Sequence, residues 1–211
     1  MDSTIPKEVE DEVRAQLEPL FLDFYTGSKM YEAYYGCLEQ LAERLDKATD
    51  FIRIVKRAYE DLKEPRAKTA LEALTYLTQI ELVGSGLIDV TILLLVAKGV
   101  DLHLEPDYEH RYTRHVTSPE DLDSPSLPLS VKLDYLKLNG LPLFAKFIDK
   151  DMRNRIAHAD FEIDDDGRLF LLTKKGKKEV DMAQKLGSIH DYVTAVAKVI
   201  TEQMERVRQP K

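Results

Sequence analysis

Apolar residues recur every three or four positions through most of this chain, and that spacing predicts amphipathic helices. The first three predicted helices are long and cover residues 6–24, 29–62 and 66–98. Shorter helical segments follow at 131–138 and 141–148, then a helix from about 151 and a closing helix from Ser188. The pattern therefore predicts an all-α fold, an up-down bundle of about four to six helices.

The third predicted helix becomes almost wholly apolar after Ile80, which places its second half in the centre of the bundle or in a subunit interface. Glu81, Ser85 and Asp89 interrupt this apolar segment at intervals of four residues, so they form one polar stripe. A buried polar stripe is costly unless each group has a partner. We therefore expect these residues to form an internal hydrogen-bond network or to face a functional site.

Residues 101–130 lack any period and contain four prolines and three histidines, which predicts a long loop or insertion. A substrate-facing flap is the favoured use of such a loop. His103, His110 and His115 have neither the helical spacing nor the fourth ligand of a metal site, so no metal is expected there.

The composition predicts one soluble cytoplasmic domain over residues 1–211. Hydrophobic residues make up 44% of the chain, which is enough for a core. The amino terminus lacks a secretory signal, and the apolar stretch 87–97 is too short to span a membrane. The single cysteine, Cys37, allows no internal disulfide and suits a reducing compartment.

The net charge of −8 is unevenly distributed. Residues 141–178 hold nine Lys and Arg against seven Asp and Glu, so this segment is net positive within an acidic chain. An anionic ligand is therefore expected to bind locally. Within the segment, residues 161–172 have apolar arms around Asp166-Gly167, which predicts a β-hairpin. The lysines that follow are predicted to bind RNA or to form a solvated turn: Lys174, Lys175, Lys177 and Lys178.

The stretch 153–158 places an arginine, an amide and a histidine within one and a half helical turns. In a helix Asn154 and His158 share a face, and the long side chain of Arg153 can reach the same patch. A guanidinium binds phosphate and an imidazole moves protons, so these groups can cleave RNA without a metal. Arg155 would at most assist RNA binding. In the alternative interpretation Asp160 or Glu162 caps His158, and the two arginines pair with Asp149 and Asp151.

From residue 152 to residue 163 the sequence resembles the HEPN superfamily, whose signature is Arg, a polar residue and then His. The resemblance implies an all-α domain with metal-independent ribonuclease activity and no cofactor. It also implies that a polar residue of an earlier helix faces the motif, and here that residue would be Glu81, Ser85 or Asp89.

The superfamily usually joins two motifs across a dimer, and this chain has one. The resemblance therefore implies a homodimer with a composite site, with the apolar half of the third helix and the motif helix as its natural interface. It also points to a defence or toxin–antitoxin system, with an antitoxin or nucleotidyltransferase as partner. Asp160 stands where toxin members often carry a regulatory Tyr, so that form of regulation is not expected.

The predicted function is an endoribonuclease, a hydrolase of single-stranded RNA in which the 2′-OH attacks the adjacent phosphorus. His158 would move protons, Arg153 would stabilise the charged transition state, and Asn154 would orient the imidazole or the phosphate. Two alternatives stay open: a non-catalytic module that binds nucleotide or RNA, and a structural dimerisation domain.

Overall fold

The amphipathic segments form helices in the computed structural model, which describes residues 5–22, 29–102, 122 and 127–208 and, for residues 29–34, the backbone alone. Over these ranges the protein is mostly helical and carries a small three-stranded antiparallel sheet. The α-helices in chain order are α1 Lys7–Leu17, α2 Lys29–Asp61, α3 Pro65–Thr78, α4 Ser85–Ala97, α5 Leu129–Leu138, α6 Leu143–Phe147, α7 Lys150–Ala157 and α8 Met182–Arg208.

The two outer helices differ from their predicted ends. Helix α1 stops at Leu17 and continues as a 3₁₀ turn, Glu18–Phe21, because Pro19 has no N–H to extend the α-helical ladder. Helix α8 begins six residues before Ser188, so the predicted start was wrong. Its first turn is capped by Asp181, whose carboxylate accepts a hydrogen bond from the backbone N–H of Gln184 at 2.9 Å.

The predicted third helix is a continuous helical run from Pro65 to Ala97, interrupted by one π-helical turn at Gln79–Gly84. Every residue of α4 from Gly86 to Leu95 is buried. Helix α2 packs closely along α4, and a Cβ on Gly86 would lie 2.9 Å from Leu41 Cδ1. The apolar half of this run is therefore the centre of the fold, the first of the two predicted alternatives, and its buried segment Gly86–Leu95 offers no surface for a subunit interface.

By length and composition alone, the run Pro65–Ala97 could also cross a membrane. The structure buries 72% of its most apolar window inside the chain, as a core helix would be.

The sheet extends the predicted hairpin. Strands β1 (Phe161–Ile163) and β2 (Leu169–Thr173) pair antiparallel, which confirms the hairpin, and β3 (Gly176–Val180) adds a third strand beside β2. The all-α prediction missed this strand because its central residues are charged and exposed, without the alternation that marks a half-buried strand. Of the predicted lysine turn, Lys174 and Lys175 form the turn, whereas Lys177 and Lys178 belong to β3.

The predicted loop 101–130 is described only in part. Residues 103–121 and 123–126, with His103, His110 and His115, lie outside the described residues. At its end the loop is shorter than predicted, because α5 begins at Leu129.

The hairpin turn rests on the start of α3. Gly167 has a φ of +81°, and a Cβ at this position would lie 2.8 Å from Pro65 Cβ and 2.9 Å from the Pro65 carbonyl oxygen. The Thr69 hydroxyl donates a hydrogen bond to the Gly167 carbonyl at 2.6 Å. Only glycine satisfies both the backbone conformation and the close approach.

Gly167→Ala should lower the free energy of unfolding by about 3 kcal/mol or more, because it adds a clash with Pro65 to the strain of a positive φ. Urea unfolding measures the loss. Gly140→Ala is the matched control: its φ is +82° and a Cβ there meets nothing within 4 Å, so it should cost about 1 kcal/mol. Equal losses in the two variants would show that the contact with Pro65 carries no energy.

Candidate functional site

The motif lies on α7, a short helix that is fixed at both ends. The Asp149 carboxylate caps its start by accepting a hydrogen bond from Met152 N at 3.0 Å. Its end is a Schellman turn, in which Asp160 N donates to Arg155 O at 2.8 Å and Ala159 has a φ of 59°. Met152 and Ile156 are buried, so the polar side chains of the motif face outward.

Arg153 is held by a carboxylate of the central run, the continuous helical segment from Pro65 to Ala97. Its Nε donates to Glu81 Oε1 at 2.6 Å, its Nη2 lies 2.5 Å from the same oxygen, and its Nη1 donates to Asn154 Oδ1 at 2.8 Å. The predicted pair with Asp149 was therefore wrong, because Asp149 caps α7 and lies 3.6 Å from Lys185 Nζ instead. The guanidinium is oriented by two residues.

The polar stripe of the central run faces the same space as the motif. Glu81 in the π turn, with Ser85 and Asp89 in α4, lines a cavity of about 410 Å³ together with Arg153 and Asn154. The structure thus brings together five of the residues singled out in the sequence. Single π turns often occur at functional sites because they displace side chains from the regular helical register.

The floor of this cavity is a buried ion pair that the sequence analysis missed. Lys132 Nζ on α5 lies 2.6 Å from Asp89 Oδ1 and donates to the Leu122 carbonyl at 2.7 Å. Asp89 is 8% exposed and Lys132 is 5% exposed. A signal was available, because Lys132 precedes Leu136 by four residues and so lies on the buried face of α5.

His158 lies apart from this cavity. It is exposed, it follows the last residue of α7, and it is not among the residues that line the cavity. Its backbone N–H donates to the Asn154 carbonyl at 3.0 Å, which keeps it one turn beyond that residue. Within the described part of the chain neither Asp160 nor Glu162 caps its side chain, and Glu162 pairs with Lys177.

Arg155 joins α7 to the sheet. Its Nε donates to Asp151 Oδ2 at 3.0 Å, as the alternative interpretation predicted, and its Nη1 donates to the Leu172 carbonyl of β2. The hydrogen bond that the Arg155 guanidinium donates to Asp151 raises the pKa of this guanidinium. The predicted RNA-binding lysines of the sheet, at 174, 175, 177 and 178, are exposed and do not line the cavity.

The cavity lining carries charges of both signs, because the carboxylates of Glu81 and Asp89 lie in it beside three cationic side chains. Lys132, Lys150 and Arg153 line the cavity, and Lys150 Nζ lies 4.0 Å from Asp134 on the surface. Among the described residues no group of three His, Cys, Asp or Glu is placed to hold a metal ion. No protein-family model, curated protein or solved structure is significantly similar to this chain.

Lys132→Met should lower the free energy of unfolding by about 3–5 kcal/mol, because it leaves the buried Asp89 carboxylate without its cation. Chemical denaturation followed by circular dichroism measures the change. The double variant Asp89→Leu/Lys132→Met should regain most of the loss, since it removes both charges. Lys150→Met is the control and should cost under about 1 kcal/mol, because its ion pair is exposed. A loss no larger than that of the control would contradict the importance of the buried pair.

Proposed function

We propose that this protein is a metal-independent endoribonuclease of the HEPN type that cleaves single-stranded RNA. The observation that carries the proposal is the contact between Arg153 of the motif and Glu81 of the central run. The guanidinium is fixed at the mouth of a polar cavity by a residue of the kind that the superfamily places opposite its motif. The exposed position of α7 leaves the motif accessible to a long polymer.

Each residue has a role that follows from its chemistry. RNA supplies its own nucleophile, so the protein must move protons and stabilise a charged phosphorane. His158 is the proton carrier, and its exposed imidazole can reach a bound strand. Arg153 binds the non-bridging oxygens, and Asn154 orients that guanidinium through the bond to Nη1. The products are a 2′,3′-cyclic phosphate and a 5′-hydroxyl end.

The proposal includes a homodimer, because an acid and a base are both needed and the motif supplies one histidine. With α4 buried inside the chain, the interface must use other apolar residues. Leu74 on α3 and Leu82 in the π turn are 49% and 37% exposed, and Leu82 adjoins Glu81. A second copy bound on this face would bring its own motif toward Arg153.

One observation favours a second candidate, a module that binds a nucleotide or RNA phosphate without cleaving it. Three cationic side chains line the cavity, while the histidine lies outside it. In this function Arg153 and Lys150 bind the phosphate, and His158 adds a contact at the edge.

The wild-type protein should cut single-stranded RNA in the presence of EDTA, because none of the proposed groups needs a metal. His158→Ala should lower the rate by about 10²–10⁴, and Arg153→Ala by about 10²–10³. Gel analysis of end-labelled RNA measures both losses, and a 2′-deoxy nucleotide at the cut should resist. Arg53→Ala is the matched control, because Arg53 is exposed on α2 and its one ion pair among the described residues is with its helical neighbour Asp50.

Two results would change this assignment. Wild-type protein that binds varied RNAs without cutting them, with binding lost in both variants, would establish the second candidate. Cleavage by His158→Ala at the wild-type rate would place the activity elsewhere.

The protein should sediment at micromolar concentration with about twice the mass of one chain. Leu82→Glu should shift it toward the monomer, because a charge at this position would be desolvated in the proposed interface. Leu138→Glu is the control, since Leu138 is 86% exposed and lies on α5. A monomeric wild type would exclude the composite site.

A mixture of Arg153→Ala and His158→Ala chains tests whether the site is shared. In a mixed dimer one of the two composite sites has both an intact arginine and an intact histidine, so partial activity should return. Failure to recover activity from an exchanging mixture would mean that both groups come from one chain or that each site needs the histidines of both chains.

A further inference from the structure

A second cavity, of about 450 Å³, lies between α2, α3 and α8. This cavity shares no lining residue with the motif cavity, the 410 Å³ space beside Arg153 and Asn154. Aliphatic side chains form much of its wall, among them Ile52, Val55, Leu71 and Leu186. Small-molecule sites in proteins commonly have this size, an apolar wall and very few polar groups.

One polar group in this lining has no partner. Gln79, at the start of the π turn, is 5% exposed, and its Oε1 is buried without a hydrogen-bond donor among the described residues. Two neighbouring hydroxyl groups of the lining are satisfied: Thr75 donates to the Leu71 carbonyl at 2.7 Å, and Tyr59 donates to Glu72 at 2.9 Å. An unpaired buried acceptor costs free energy, so its presence in an apolar cavity indicates a missing donor.

The charges of the lining limit the kind of molecule that fits. Four ionisable residues line the cavity: Lys56 and Glu72, which carry opposite charges, and Tyr59 and His190. A carboxylate would meet Glu72 and an ammonium would meet Lys56, so neither charge is selected. Uncharged apolar molecules avoid both conflicts and retain the full benefit of burial.

We propose that this cavity binds a compact, uncharged, apolar molecule that carries one hydrogen-bond donor, and that the donor bonds to the Gln79 carboxamide. This site is separate from the proposed ribonuclease site and does not depend on it. The π turn thus contributes a residue to each cavity: Gln79 lines this one, and Glu81 lines the one beside Arg153.

The test uses two probes of nearly equal shape, indole and benzofuran, which differ in that only indole has an N–H donor. Titration of the full chain, followed by NMR or calorimetry, should show indole binding about tenfold more tightly than benzofuran, as one buried hydrogen bond requires. Gln79→Met keeps the side-chain length and removes the acceptor, so the two probes should then bind equally. This variant should also unfold roughly 2–4 °C higher than wild type, because the unpaired polar group is gone.

Gly187 provides a second test that leaves Gln79 intact. It lines the cavity, and a Cβ there meets no heavy atom within 4 Å, so Gly187→Phe can fill the space without a clash at its Cβ. This variant should lose both probes, whereas Gly187→Ala should keep them. Should Gln79→Met fail to fold, the two probes and the Gly187 pair still decide the question.

Equal binding of indole and benzofuran to wild type would overturn the role of Gln79, and binding of neither would overturn the site. A third outcome would also overturn the proposed site: neither probe binds the wild type, and Gly187→Phe no longer self-associates. The cavity would then be part of an interface between two copies of the chain.

Discussion

The burial of α4 is the constraint on which the rest of the structure depends. Ten consecutive residues of this helix are buried, and a charged group among them is tolerated only with an opposite charge beside it. Asp89 finds that charge in Lys132, which fixes α5 against the centre of the fold. Because α5 cannot move away without taking the Lys132 cation from the buried Asp89 carboxylate, the core itself fixes the position of this ion pair in the cavity lining.

The two ion pairs of this cavity differ in the environment of their charges. Asp89 and Lys132 are almost fully buried, whereas Glu81 and Arg153 have side chains that are 47% and 27% exposed. An exposed pair contributes little net stability, so a phosphate can replace the carboxylate on Arg153 at small cost. The buried ion pair is therefore a fixed part of the cavity, whereas the pair of Arg153 and Glu81 can be exchanged, as the proposed binding and release of RNA requires.

The sequence predicted those elements whose core-facing side repeats apolar residues at a regular interval. The long helices and the turn at Gly167 followed from apolar periodicity and from one dipeptide, and the polar stripe followed from its spacing of four residues. Strand β3 and the cap at Asp181 escaped prediction, because both depend on neighbours that periodicity does not encode. Lys132 also escaped, although its spacing from Leu136 places it on the buried face of α5, because a buried lysine makes sense only once Asp89 is known to lie opposite.

The motif illustrates the limit of spacing as evidence for a site. A gap of five residues places Arg153 and His158 near one another only while both side chains follow the helix. Here the helix ends before His158, and Glu81 draws the guanidinium toward the central run. In the proposed enzyme the two groups can act on one phosphate only if Arg153 leaves Glu81 or if the histidine comes from a second chain. The second route leaves the fold of each chain undisturbed, because the phosphate need only replace Glu81 on Arg153.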